Sequence, residues 1–149
     1  MNPISSSLQT HSPLAAARAS SPHILALLLD DYGWADAGWH AGNGTNVSTP
    51  TLDALVREGV ELDRHYVHMM CTPSRSSLQT GRLPVHVINE LADPCDGNGA
   101  IPRNMTGIAA VLKQAGYATH QVGKWDAGMA TPQHTPQGRG YDTSLVSSR

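Results

Sequence analysis

The sequence has few charged residues, few cysteines and no long apolar run, and each shortage excludes a class of protein. Its 149 residues include 10 basic and 12 acidic side chains, a net charge of −2 that indicates neither a nucleic acid nor an anionic membrane as partner. No apolar stretch approaches the length of a membrane-spanning helix. Two cysteines are too few for a disulfide framework and decide little about the compartment. The apolar content of 40% indicates a globular protein with one modest core.

Residues 1–21 differ in composition from the rest of the chain. They are rich in serine and alanine and lack the apolar central region of a secretory signal peptide. We interpret them as a disordered or targeting-like tail and assign 22–149 to a single domain. Three Asn-x-Ser/Thr triplets, at Asn43, Asn46 and Asn104, would permit glycosylation.

Strand and helix patterns alternate along the domain. The run His23–Leu29 is continuously apolar, as is typical of a strand buried on both faces of a sheet. Further strand patterns cover 60–67 and 117–122, and helical patterns cover 50–58, 74–80 and 106–115. This alternation predicts an α/β fold, with a mainly parallel sheet flanked by helices.

Polar residues follow the predicted strands. Asp30 and Asp31 come after the first strand, Cys71 and Arg75 after the second, and Lys124 after the third. Ligands of open α/β sheets bind at the carboxyl ends of the strands, so we expect these side chains to meet at one edge. The alternatives are a solvated Asp-Asp turn and an ordinary surface lysine.

Cys71 has several ordinary interpretations. A free cysteine is most often a small buried apolar side chain. Cys71 could also pair with Cys95, the second cysteine of the chain. His65 and His68 lie upstream, but they do not provide the spacing of a zinc site.

The residues after Cys71 favour a binding or catalytic role. Thr72 is a plausible N-cap, Pro73 suits the first helical position, and Gly81 is a typical C′ residue. Cys71 would therefore lie at the positive end of a helix, with Arg75 one turn later. Free N–H groups and a guanidinium make a site for an anion, or for a thiol held as thiolate.

The paired carboxylates could hold a cation beside that anion site. Asp30 and Asp31 are costly as neighbours unless a cation or a partner neutralises them. Oxygen ligands suit calcium or magnesium, and such an ion would polarise a bound oxyanion. Lys124 could bind a further oxygen as a point charge.

Three motifs resemble those of the sulfatase family. They are CTPSRSSLQTGRLP at Cys71–Pro84, which resembles the Cys-x-Pro-Ser-Arg signature, DDYGWAD at Asp30–Asp36, which resembles the metal-binding opening, and AGYATHQVGKWDAG at 115–128, which resembles the Gly-Lys-Trp segment. Their order and spacing fit the family from about residue 22 to 143. The loop around Cys95 and the GRGYD motif at 138–142 are most similar to the arylsulfatase B group.

The resemblance implies an alkaline-phosphatase-like core and the hydrolysis of sulfate esters on a small molecule or glycan. In this family a formylglycine-generating enzyme oxidises the signature cysteine, and the hydrated aldehyde attacks the sulfur of the ester. Cys71 would be the formylglycine precursor and, once modified, a calcium ligand together with Asp30 and Asp31. Arg75 would orient the formylglycine and Lys124 would bind the sulfate. The family also implies a secretory, lysosomal or extracellular location.

Two features depart from the family pattern. Asp126 stands where the family has a histidine that hydrogen-bonds the formylglycine and acts as elimination base. A carboxylate accepts a proton but repels a sulfate ester, by about 3 kcal/mol at ~5 Å and an effective dielectric of ~20. The family domain is also much longer, so we expect an incomplete sheet, a half-built calcium site and a chain that is inactive alone.

Two other functions are compatible with these motifs. A phosphodiesterase or phosphonate hydrolase of the same superfamily shares the layout. A non-catalytic relative would keep the fold as a binding module. Asp126 favours the binding module, whereas Cys71, Arg75 and Lys124 favour an enzyme.

Overall fold

A computed structural model describes residues 21–91, 93, 95–96 and 99–147. The predicted tail at 1–21 therefore lies almost entirely outside the described residues. The chain divides into two units, Met1–Tyr32 and Gly33–Arg149.

In the first unit, the apolar run His23–Leu29 is not a strand. These residues have no regular secondary structure and are exposed, Leu25 by 92%. The prediction of a strand buried on both faces is therefore wrong for this structure. An apolar, β-favouring sequence becomes a strand only when a neighbouring strand takes its backbone hydrogen bonds, and within the described residues no strand pairs with this run.

The second unit contains helix α1 at Pro50–Glu58, helix α2 at Cys71–Thr80 and helix α3 at Ile108–Gln114. The prediction of α1 is confirmed, with Thr49 as N-cap and proline at its first position. Short 3-10 helices lie at Trp34–Asp36, Pro84–His86, Pro132–His134 and Gln137–Arg139. None of the helices among the described residues combines the length and the apolar character needed to cross a bilayer.

Helix α2 begins earlier than predicted. Met70, not Thr72, is the N-cap, so Cys71 is the first residue of the helix instead of the residue before it. The predicted end is confirmed: Gly81 adopts the left-handed conformation with a φ of 66°, and its N–H donates to the carbonyl of Ser77 at 2.8 Å. Helix α3 begins at Ile108, two residues after the predicted start.

Strand β1 at His120–Lys124 and strand β2 at Thr143–Ser147 form a two-stranded parallel sheet. A parallel sheet was predicted. Strand β1 begins three residues later than predicted, and β2 was not predicted. The predicted strand at 60–67 is not formed: its residues are irregular and exposed, Val60 by 88%. Lys124 is the last residue of β1, where the binding edge was expected.

Trp125 anchors the chain immediately after β1. Its side chain is 1% exposed and packs in a core with Ile101 and Ala127. The indole Nε1 donates to the carbonyl of Gly128 at 2.8 Å and to that of His134 at 3.2 Å. Burial of this large ring, with its polar atom satisfied, fixes the position of the two residues on either side of it.

Candidate active site

The start of α2 lies against the end of β1. Thr72 is 1% exposed, and its hydroxyl donates to Oδ1 of Asp126 at 3.0 Å. Nη1 of Arg75 donates to the backbone carbonyl of Lys124 at 2.6 Å. These two bonds join segments about fifty residues apart in sequence, and they bring Cys71, Lys124 and Asp126 into one region.

Cys71 lies at the positive end of α2 and is partly exposed. The first N–H groups of a helix have no intrahelical partner, and the side chain of the N-cap residue Met70 makes no capping hydrogen bond to those of α2. The aligned peptide dipoles add a partial positive charge at the same place. A partly accessible side chain in this position suits both modification by another enzyme and contact with an anionic substrate.

The segment before Cys71 is held by its own polar groups. The hydroxyl of Ser74 lies 2.8 Å from the carbonyls of both His68 and Met70. The backbone N–H of Met70 donates to Nδ1 of His68 at 3.1 Å, so the ring of His68 acts as an acceptor within a turn. These contacts fix the entry to α2, and no sequence pattern predicted them.

Asp126 is an acceptor for Thr72 and a neighbour of Lys124. Its residue is 6% exposed, and its Oδ2 lies 3.9 Å from Nζ of Lys124. The backbone at Asp126 has a φ of 45°, in the left-handed region that aspartate tolerates better than most residues. The sequence identified Asp126 as a departure from a family motif but did not predict its bond to Thr72.

The predicted metal ligands Asp30, Asp31 and Cys71 are divided between the two units of the chain. Asp30 and Asp31 belong to the first unit, and both are exposed. No three His, Cys, Asp or Glu side chains in the described part of the chain are grouped closely enough to hold a metal ion. Calcium takes 6–8 oxygen ligands, more than this pair supplies. Calcium binding by Asp30, Asp31 and a modified Cys71 therefore stays a prediction.

Comparison with known proteins decides the family. The family model described as Sulfatase matches residues 22–148. The chain belongs to the sulfatase family. The resemblance inferred from the three motifs is thereby confirmed.

Several curated sulfatases are similar to this chain. Mouse arylsulfatase J is 40% identical over 133 residues, which are 88% of this chain and 22% of the relative. Dog arylsulfatase G is 39% identical over 133 residues, or 87% of this chain and 24% of the relative. Mouse N-acetylgalactosamine-6-sulfatase is 37% identical over 139 residues, or 87% and 26%. This sulfatase chain thus spans about a quarter of the length of these relatives.

A solved structure supports the fold. The crystal structure of Ps i-CgsB matches with a TM-score of 0.69 and 33% sequence identity, over 80% of this chain and 27% of that chain. The α/β class predicted from the sequence is confirmed, and the small parallel sheet with its helices is an incomplete form of that core.

Proposed function

We propose that this sulfatase chain supplies the nucleophile region of a sulfate ester hydrolase, with Cys71 as the residue converted to formylglycine. The observation that carries the proposal is the position of Cys71. It is the first residue of α2 and lies within a Cys-x-Pro-Ser-Arg motif, next to a helix end that attracts anions. When formed, the group would supply a hydrated aldehyde whose hydroxyl attacks the sulfur of the ester.

The surrounding residues would bind the sulfate group and position α2 against β1. The N–H groups at the start of α2 favour the negative charge of the sulfate group. Lys124 would bind a sulfate oxygen with its ammonium group, which is only partly buried. Through its bond to the carbonyl of Lys124, Arg75 fixes the distance between α2 and β1 and thus acts as a positioning residue.

Asp126 makes this site weaker than one with a histidine in its place. Its carboxylate lies 3.9 Å from Nζ of Lys124 and therefore competes with a sulfate ester for the same cation. A carboxylate also does not offer the imidazole ring that a histidine would supply as proton acceptor and donor. The Lys124–Asp126 contact is the observation that favours the second candidate function, a sulfatase-fold binding module without turnover.

Similar proteins of the family support a proposed substrate class and a proposed partner. One similar structure is a complex of Ps i-CgsB with k-i-k-neocarrahexaose, and one relative is an N-acetylgalactosamine-6-sulfatase, so a sulfated glycan is the proposed substrate class. A formylglycine-generating enzyme is the proposed partner, on a secretory route. Asn43, Asn46 and Asn104 are exposed, as glycosylation on that route would require.

A chimera tests the proposed function. Residues 22–147 of this chain would replace the matching segment of mouse arylsulfatase J, in cells that also express the formylglycine-generating enzyme. We expect the chimera to hydrolyse an aryl sulfate, and Cys71→Ala to abolish this activity. Cys95→Ala is the matched control, because Cys95 is exposed and outside the signature, and it should leave the rate unchanged.

Three results would contradict the proposal. Equal rates for the chimera and its Cys71→Ala variant would show that the nucleophile lies elsewhere. A higher rate with the matched aryl phosphate than with the aryl sulfate would favour the phosphodiesterase alternative. A chimera that is folded and converted at Cys71 but inactive would favour the binding module.

A further inference from the structure

A cavity of about 370 Å³ lies at the end of α2 that is remote from Cys71. Its lining comes from 103–107, from 137–140, and from Ala110 and Gln114 of α3. Arg82, just past the C-terminal glycine of α2, donates to the backbone carbonyl of Thr106 in this lining at 3.3 Å. Because α2 has ten residues and a rise of about 1.5 Å per residue, roughly 15 Å of helix separates this cavity from Cys71.

The cavity is electropositive. Arg103 and Arg139 line it, and no carboxylate from the described part of the chain does. Burial and the nearby charge of Arg82 lower the pKa of Arg139. Burial and the charges of Arg103 and Arg139 lower the pKa of His134. None of the three arginines forms an ion pair within the described residues, so their charges reinforce one another without compensation.

Arg139 is held in a fixed position at the wall. It is 8% exposed, its Nη2 donates to the carbonyl of Met105 at 2.5 Å, and its Nη1 lies 3.4 Å from the carbonyl of Pro102. These bonds use two of the five N–H groups of the guanidinium. A buried arginine that is already ordered loses little side-chain freedom on binding.

We propose that this cavity binds a tetrahedral oxoanion, of the sulfate or phosphate type, at a site separate from Cys71. Arginine presents its N–H groups in a planar fork that matches two oxygens of such an ion. Of the two lining arginines, Arg103 is exposed and Arg139 is buried. Gln137 adds a polar residue to the lining. The oxoanion is either a free ion or a group on a larger molecule such as a glycan. The proposal does not depend on hydrolysis at Cys71.

The test is an NMR titration of the ¹⁵N-labelled 149-residue chain with sodium sulfate, compared with sodium chloride at equal ionic strength. We expect saturable shifts of the backbone amides of Asn104, Arg139 and Gly140 with sulfate alone. Arg103→Gln should weaken the affinity about tenfold, because it removes one charge-assisted contact. Arg57→Gln, which removes an exposed arginine of α1 outside the cavity, should leave the affinity unchanged.

Arg139→Gln is a second variant. Because it also removes two internal hydrogen bonds, its sulfate affinity is compared with that of the wild-type chain only if its amide spectrum shows the same folded state. A sulfated oligosaccharide and its desulfated form distinguish the two sources: shifts with the sulfated form at lower concentration than with free sulfate indicate a group on a glycan. Equal shifts with chloride would overturn the proposal. An unchanged affinity in Arg103→Gln, or shifts confined to residues 71–75, would overturn it as well.

Discussion

Asp126 stabilises the contact between α2 and β1, but its negative charge opposes the binding of sulfate. Its carboxylate accepts a hydrogen bond from Thr72 and lies beside Lys124, so it helps to hold α2 against β1. The same charge repels the sulfate group that the proposed site must bind. A substitution at this residue therefore changes both the docking of α2 and the charge of the candidate site.

The first prediction compares Asp126→His with Asp126→Ala in the arylsulfatase J chimera. The histidine variant should exceed the alanine variant in kcat by roughly two powers of ten, because both remove the repulsion but only histidine supplies a base that titrates near neutral pH. The alanine variant should leave kcat low, since it supplies no base. Both are measured with one aryl sulfate. If Asp126→His lowers kcat as much as Asp126→Ala does, Asp126 is itself the working base.

Asp142 gives the second prediction. The ammonium of Lys113, 2.5 Å away, and the backbone N–H of Thr119 lower the pKa of Asp142 from 3.8 to about 2. A carboxyl with a depressed folded-state pKa stabilises the fold above its unfolded pKa and loses that contribution as the pH falls through the folded value. The loss should therefore fall between about pH 4 and pH 2.

Urea unfolding of the 149-residue chain across that window measures the effect. Asp142→Asn should show a flatter loss of stability between pH 4 and pH 2 than the wild-type chain. Asp36→Asn is the matched control for an exposed carboxyl elsewhere in the second unit. Identical pH profiles for the wild-type chain and Asp142→Asn would show that the Lys113 and Thr119 contacts do not persist in solution.

At the scale of elements, helix signals were more informative than strand signals. Helices α1 and α2 follow from a proline in the first turn and a terminal glycine, which act within one turn. A strand depends on a partner that is distant in sequence, and so the apolar patterns at 23–29 and 60–67 did not become strands. Strand β2 is short, and its sequence TSLVS does not alternate apolar with polar side chains, so it carried little pattern to find.

The candidate site was predictable only in part, because local signals place the ends of elements but not the contacts between distant residues. The grouping of Cys71 with Lys124 follows from motifs that lie at predicted element ends. The bond between Thr72 and Asp126 joins residues 54 apart and depends on the left-handed backbone at Asp126, which no local pattern indicates. The positioning contact between Arg75 and the carbonyl of Lys124 likewise needed the tertiary structure.

The third prediction compares two glycines with positive φ. Gly81, at the end of α2, has open space around its missing Cβ, so Gly81→Ala should cost about 1 kcal/mol through its φ of 66°. Gly128 has a φ of 97°, and a Cβ there would overlap the Cβ of Ala100. Gly128→Ala should therefore destabilise the chain by roughly 3 kcal/mol or more. Equal urea midpoints for the two variants would contradict the packing around Trp125.

At the scale of the molecule, the second unit exposes apolar side chains on its small sheet. Val122 of β1 and Leu145 of β2 are paired in register and are 78% and 74% exposed. Neighbours on paired strands share a face of the sheet, so these two side chains form one exposed apolar patch. The chain spans about a quarter of its relatives, and an exposed patch of this kind promotes association.

The fourth prediction follows from that patch. The double variant Val122→Thr, Leu145→Thr should reduce self-association of the 149-residue chain, because threonine keeps the strand preference but lowers the apolar area. The measurement is sedimentation velocity at several concentrations, with Val60→Thr as the control for an exposed apolar residue outside the sheet. A wild-type chain that is monomeric at every concentration would contradict the prediction.

The state of Cys71 tests the account most directly. The chain would be expressed through the secretory pathway together with a formylglycine-generating enzyme, and its peptides analysed by mass spectrometry. We predict the aldehyde form at Cys71 and an unchanged thiol at Cys95, which is exposed but lies outside the signature. Arg75→Ala should reduce the conversion, since it alters the motif and the docking of α2. Unmodified thiol at Cys71 in every copy, while a known sulfatase in the same cells is converted, would contradict the account.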